Sequence, residues 1–119
     1  MNTRLLDLCC FWAGILGLSH WTFRVRYAEK DEIPSNSDAH VVYKLCQEKA
    51  LILIQKSEDS DAVEGFELDE EESLVHELLH LVFGMVNVPR NANLCFDQAI
   101  DRVARGLVRL KREKEPALE

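Results

Sequence analysis

The segment His76-Glu77-Leu78-Leu79-His80 holds the residues of this chain whose types and spacing point most directly to chemistry. On a helix, residues four apart project from one face, one turn above the other, so both imidazoles can grip a single ion. Neutral imidazole is a preferred zinc ligand at about 2.0–2.1 Å, and two of them leave room for a third protein group and a water. Glu77 adjoins the first histidine, where its carboxylate can take a proton from that water and later pass it to a leaving amine. A lone histidine would read as an ordinary helix residue. Here three residue types coincide at one spacing, flanked by Leu74, Val75, Leu78, Leu81 and Val82. The expectation is one Zn2+ ion held by His76 and His80, with Glu77 as the proton-handling base.

A catalytic ion needs a third protein ligand. The metzincin pattern HExxHxxGxxH is excluded, because Phe83 stands where its glycine belongs and Val86 where its third histidine belongs. The other common solution takes a carboxylate from a following helix, and the last helix of the chain offers Asp97 and Asp101 on one face.

Together, HELLH and Asp97-Gln98-Ala99-Ile100-Asp101 resemble the two motifs of the gluzincin zinc metallopeptidases, HExxH followed by ExxxD. The resemblance implies that Asp97 is the third ligand. It also implies that Asp101 holds a ligating histidine by its second ring nitrogen. The chain departs from the pattern at Asp97, which replaces a glutamate and is one methylene shorter, so either the helices approach closely near Gly84 or a water bridges the gap. Asp101 by itself, or Glu64 or Glu67 of an acidic loop, is the alternative donor. The order of elements is also similar to that of minimal single-domain gluzincins and short phage or bacterial HExxH proteins. In that architecture the edge strand of the sheet lies beside the cleft, where an extended peptide can add itself as a further strand. Tyr43, His40 and Arg105 are candidates, by chemistry alone, for stabilising an oxyanion.

Which elements position these groups follows from periodicity. Apolar residues at spacings of three and four predict a helix over residues 3–16, ending at Gly17. Residues 21–27 alternate Trp21, Phe23, Val25 and Tyr27 with Thr and Arg, the pattern of a half-buried strand. A polar loop over 29–38 leads to strands over 41–45 and 50–55, an antiparallel hairpin. Leu51-Ile52-Leu53-Ile54 is apolar without alternation and suits a strand covered on both faces. An acidic loop over 58–67 precedes the motif helix, residues 69–85, whose first turn carries Asp69, Glu70, Glu71 and Glu72 in keeping with the macrodipole. The last helix spans 93–112, with Ile100, Val103, Ala104, Leu107 and Leu110 as its buried stripe. The fold class is therefore α+β: an N-terminal helix, a small three-stranded, mainly antiparallel sheet, the HExxH helix and a C-terminal helix carrying the third ligand.

At 119 residues the chain is one domain, 1–119, with 113–119 as a flexible tail. Its 14 Lys and Arg against 21 Asp and Glu give a formal charge of -7, which disfavours nucleic acid as a partner. The basic stretch 102–114 reads as a solvated helix face, and its end, 109–114, either covers the cleft or projects into solvent. The apolar run 8–18 is too short to span a bilayer, so no membrane partner is expected. Four cysteines without a CxxC pair fit a reduced, cytoplasmic setting. Cys9, Cys10 and Cys46 read as small buried hydrophobes, and Trp12 and Trp21 as core anchors.

These readings support two functions: a zinc-dependent metallopeptidase acting on a peptide or protein, or a non-catalytic interaction module that retains a structural zinc site.

Overall fold

A computed structural model of the chain describes residues 3–29, 31–33, 37–56, 68–84 and 88–115. The acidic loop expected over 58–67, with Glu64 and Glu67, lies outside them, as does the end of the chain beyond 115.

Helix α1 (Thr3–Ile15) buries Leu5, Cys9, Trp12 and Ala13, one stripe at spacings of three and four. It stops at Gly17, whose φ of 76° is the left-handed conformation that glycine adopts without a Cβ penalty. Strands β1 (Thr22–Tyr27), β2 (Ala39–Lys44) and β3 (Lys49–Ile54) form one sheet in the order β1-β3-β2. β2 and β3 are the antiparallel hairpin, joined through a 3-10 turn, Leu45–Gln47, and Glu48 in the left-handed region.

The sheet is mixed rather than mainly antiparallel, because β1 pairs with β3 in parallel, Val25 opposite Ile52 and Tyr27 opposite Ile54. β1 ends and β2 begins at the same end of β3, where Gln55 N–H donates to the Asp38 carbonyl at 2.9 Å. The physical reason lies in the strands' faces. β3 carries the unbroken apolar run and takes the centre, with Ala50, Ile52, Leu53 and Ile54 all buried, whereas β1 and β2 bear the charged or polar residues that tolerate an edge.

Helix α2 (Glu70–Val82) is capped by Asp69, whose side chain accepts from Glu72 N–H at 3.2 Å. Helix α3 (Asn93–Lys114) packs along it. The core lies between the sheet's inner face and the helices, where Val25, Ile52 and Ile54 meet Trp12, Leu74, Leu78, Ile100 and Val108. The stripe of α3 is Ile100, Ala104 and Val108, with Leu107 half-buried, while Val103 and Leu110 are exposed. The buried line thus follows the i, i+4 row that faces α2, and the expected stripe was rotated off it.

Two further expectations are corrected. Cys10 and Cys46 are exposed and only Cys9 is buried, since Cys10 is turned off the buried stripe and Cys46 sits in the hairpin turn. Burial, with Cys10 adding to it, pushes the Cys9 thiol up to about 12. The basic end of α3 is neither a cover nor a free tail. Lys111 Nζ reaches Glu71 Oε2 at 2.8 Å, and Arg112 grips Asp69 through two contacts of 2.7 and 3.0 Å. Trp12 Nε1 donates to the same Glu71 oxygen at 2.8 Å, and Glu70 accepts from the Tyr27 hydroxyl at 2.7 Å and from Arg4 at 3.1 Å. The acidic first turn of α2 therefore ties α1, β1 and α3 to the helix that carries the histidines.

Candidate metal centre

His76 and His80 lie on the face of α2 that looks toward the N-terminal half of α3, with ring centroids 5.0 Å apart. Leu74, Val75, Leu78, Leu79 and Leu81 bury the rest of the helix and hold that face in register. From α3, Asp97 brings Oδ1 to 3.0 Å from His76 Nε2 and 3.2 Å from His80 Nε2, and the two Nε2 atoms are 3.2 Å apart. Its shorter side chain thus reaches both imidazole rings directly.

These three edges test whether the residues suit a metal. Donors held tetrahedrally at about 2.0–2.1 Å from one ion stand about 3.3 Å from one another, close to the observed triangle. Proton accounting points the same way. Asp101 Oδ1 is 3.3 Å from His76 Nδ1, and Arg105 lies 3.1 Å from the other oxygen of Asp101, which keeps that carboxylate in place. With the imidazole proton on Nδ1, His76 turns a lone pair at Nε2 toward the Asp97 carboxylate and toward a second imidazole nitrogen. Three such atoms at these separations are stabilised by positive charge between them. Among the described residues His76, His80 and Asp97 form a group that could hold a metal ion, and a three-ligand set leaves one position of a tetrahedral ion free.

Glu77 follows His76 in sequence and is 8% exposed. Burial, with the Asp97 charge adding to it and His76 opposing, raises its carboxyl to about 7, well above the ordinary 4.5. Burial lowers His80, with the neighbouring His76 contributing, which favours the neutral ligating form. A carboxyl poised near neutrality beside three convergent donors can both accept and return a proton.

The cleft next to this cluster has a volume of about 580 Å3, and its lining includes His80 and Asp97 together with Tyr43 of β2. That identifies β2 as the sheet edge beside the cleft, which sequence could not decide between β1 and β2. Tyr43 and His40 are three apart on β2 and so point to opposite faces, and Tyr43 is the one on the cleft. Arg105 is committed to Asp101. Cys95 is exposed and stands outside the ligand group, and His20 pairs with Glu48 at 2.6 Å. Asp38, at the start of β2, was not singled out from sequence. Burial raises its carboxyl, and the charges of Asp101 and His76 act on it, so it borders the same cluster. No local signal marks it, because only the pairing of β2 with β3 brings it there.

No helix among the described residues is long and apolar enough to cross a membrane. No protein-family model, curated protein or solved structure matches the chain.

Proposed function

We propose that this chain is a small zinc-dependent peptidase of the gluzincin kind, with His76, His80 and Asp97 as metal ligands and Glu77 as general base and acid. One observation carries the reading: two imidazole nitrogens and a carboxylate oxygen from separate helices converge at 3.0–3.2 Å, beside a buried glutamate. When bound, zinc supplies Lewis acidity, lowering the pKa of a water and polarising a carbonyl. The chain's own residues do the rest.

Asp101 orients His76, directing its proton to Nδ1 and its lone pair to the centre. Glu77, buried next to His76, takes a proton from the attacking water and returns it to the departing amine. Among the described residues β2 is an edge strand of the sheet, to which an extended peptide can add as an antiparallel strand. Such binding would carry the peptide past Tyr43 to the cluster, and the Tyr43 hydroxyl is a candidate donor to a developing oxyanion.

The test pairs elemental analysis with turnover. The protein should bind one zinc ion, cleave members of a mixed peptide pool, lose cleavage to a chelator and regain it with zinc. Glu77→Gln should keep the ion and lose cleavage. Undiminished cleavage by that variant would remove Glu77 from the mechanism, and a zinc-loaded protein without turnover would favour the structural-zinc module.

A further inference from the structure

The helices cover one face of the sheet. Val25, Ala39, Ala50, Ile52 and Ile54 point into the core, so the alternate residues of each strand point away from it. Register sets these outward residues in rows across β1, β3 and β2: Thr22, Lys49 and Lys44 form one, and Arg24, Leu51 and Val42 the next. At the following row the face is already occupied, since Glu32 holds Arg26 through contacts of 2.7 and 2.8 Å and Leu53 is buried. The first two rows are open. Thr22, Arg24, Lys44 and Lys49 are exposed, Leu51 is half-buried and Val42 is 54% exposed. Among the described residues Arg24, Lys44 and Lys49 hold no carboxylate, whereas Arg4, Arg26, Arg105, Lys111 and Arg112 each do. Lys44 and Lys49 are moreover direct cross-strand partners. Like charges set opposite each other destabilise a sheet, so the fold gains nothing from this pair. The chain carries a formal charge of -7, yet the charged residues of these two rows are all cations.

We infer that this outward face docks an acidic amphipathic helix of a partner protein. The cations border an apolar centre: Arg24 stands on β1, Lys44 on β2 and Lys49 at the start of β3, with Leu51 and Val42 among them. β1 and β2 lie about 10 Å apart across β3, the diameter of a helix. A helix laid on β3 therefore covers Leu51 and Val42 with its apolar stripe and brings the carboxylates at its borders to the three cations. The mixture of groups argues for a protein, because a phosphate group alone would leave Val42 in water. A nucleic acid or an anionic bilayer extends its charge beyond so small a patch, to where the acidic remainder of the chain repels it. Screening confines the pull of the three cations to about 8–10 Å. Partner carboxylates also relieve the repulsion between Lys44 and Lys49. The face lies on the side of the sheet away from the core and α2, so the inference is independent of the peptidase reading.

The probe is a synthetic helical peptide with leucines along one face and glutamates at both borders, titrated into the full chain labelled with 15N. Shifts should centre on the amides of Arg24, Val42, Lys44, Lys49 and Leu51. Affinity should fall at least about fivefold between low and physiological salt. A lysine-bordered peptide, and a scrambled glutamate peptide without the apolar face, should each bind at least about tenfold more weakly. Lys49→Glu should weaken the glutamate peptide by at least about tenfold while raising the thermal midpoint, because it turns a cross-strand repulsion into an attraction. Arg24→Gln, at an exposed position with no like charge opposite, should weaken binding without moving the midpoint. No binding, undiminished binding by both variants, equal binding of the lysine-bordered peptide, or shifts centred elsewhere overturn the inference. Tighter binding of a single-stranded oligonucleotide would make the face a nucleic-acid site, and the same shifts on concentrating the protein alone would make its occupant a second copy; either result overturns the inference as well.

Discussion

Asp101 Oδ1 stands 3.3 Å from Nδ1 of His76, on the side of the ring away from the other two donors. The contact ties the proton position of one residue to a carboxylate on another helix, so metal affinity is expected to depend on a group that never touches the ion. Asp101→Asn should weaken zinc binding by about 10–100-fold, read by competition with a chromophoric chelator, while leaving stoichiometry at one. Unchanged affinity would mean that His76 is oriented by packing alone.

Glu77 gives the metal-free protein an unusual pH response. Its carboxyl is raised to about 7 in the folded state against an ordinary 4.5, so between these values the folded protein holds a proton that the unfolded chain has released. Stability from this group is therefore full below about 4.5 and is lost as pH rises through about 7, a difference of about 3 kcal/mol. Urea unfolding of chelator-treated protein should show it, and Glu77→Gln should abolish the decline. A variant with the same decline as wild type would place its origin elsewhere.

Glu71 behaves in the opposite sense. Burial alone would raise it, but hydrogen bonds from Lys111 and Trp12, together with the Lys111 charge, outweigh that and hold it below the usual carboxylate range. Its contribution is present above the unfolded carboxylate value and is lost as pH falls through the lowered folded one. Glu71→Ala leaves Trp12 Nε1 without its acceptor and Lys111 without its buried partner, and should cost about 2–3 kcal/mol at neutral pH. In acid titrations below about pH 4 the variant should lose less stability than wild type. Equal acid limbs would show that the network is not what fails there.

The four cysteines divide by burial. Cys10, Cys46 and Cys95 are exposed, whereas Cys9 is fully buried with its thiol pushed up to about 12. A thiol reagent should modify three groups quickly in the native protein and the fourth only on unfolding. Fast reaction of all four would show that α1 opens readily.

What the sequence determined by itself is what local periodicity encodes. HELLH lies on a helix because its apolar neighbours repeat at helical spacing, so placing two imidazoles one turn apart needed no tertiary information. The helices, the strands and the α+β order were legible for the same reason, as was Gly17 as a stop. The tertiary structure decided what depends on residues distant along the chain. β1 read as an alternating strand and β2 as one arm of a hairpin, but only the pairing of both with β3 makes β1 its parallel neighbour and β2 the edge beside the cleft. The reach of Asp97 depends on how closely α3 approaches α2, a distance that no spacing within either helix contains. Lys111 and Arg112 looked like a solvated helix face because their partners, Glu71 and Asp69, are some forty residues earlier. Charges pair across space, and a pattern read along one helix reveals which face it has but not what comes to meet it.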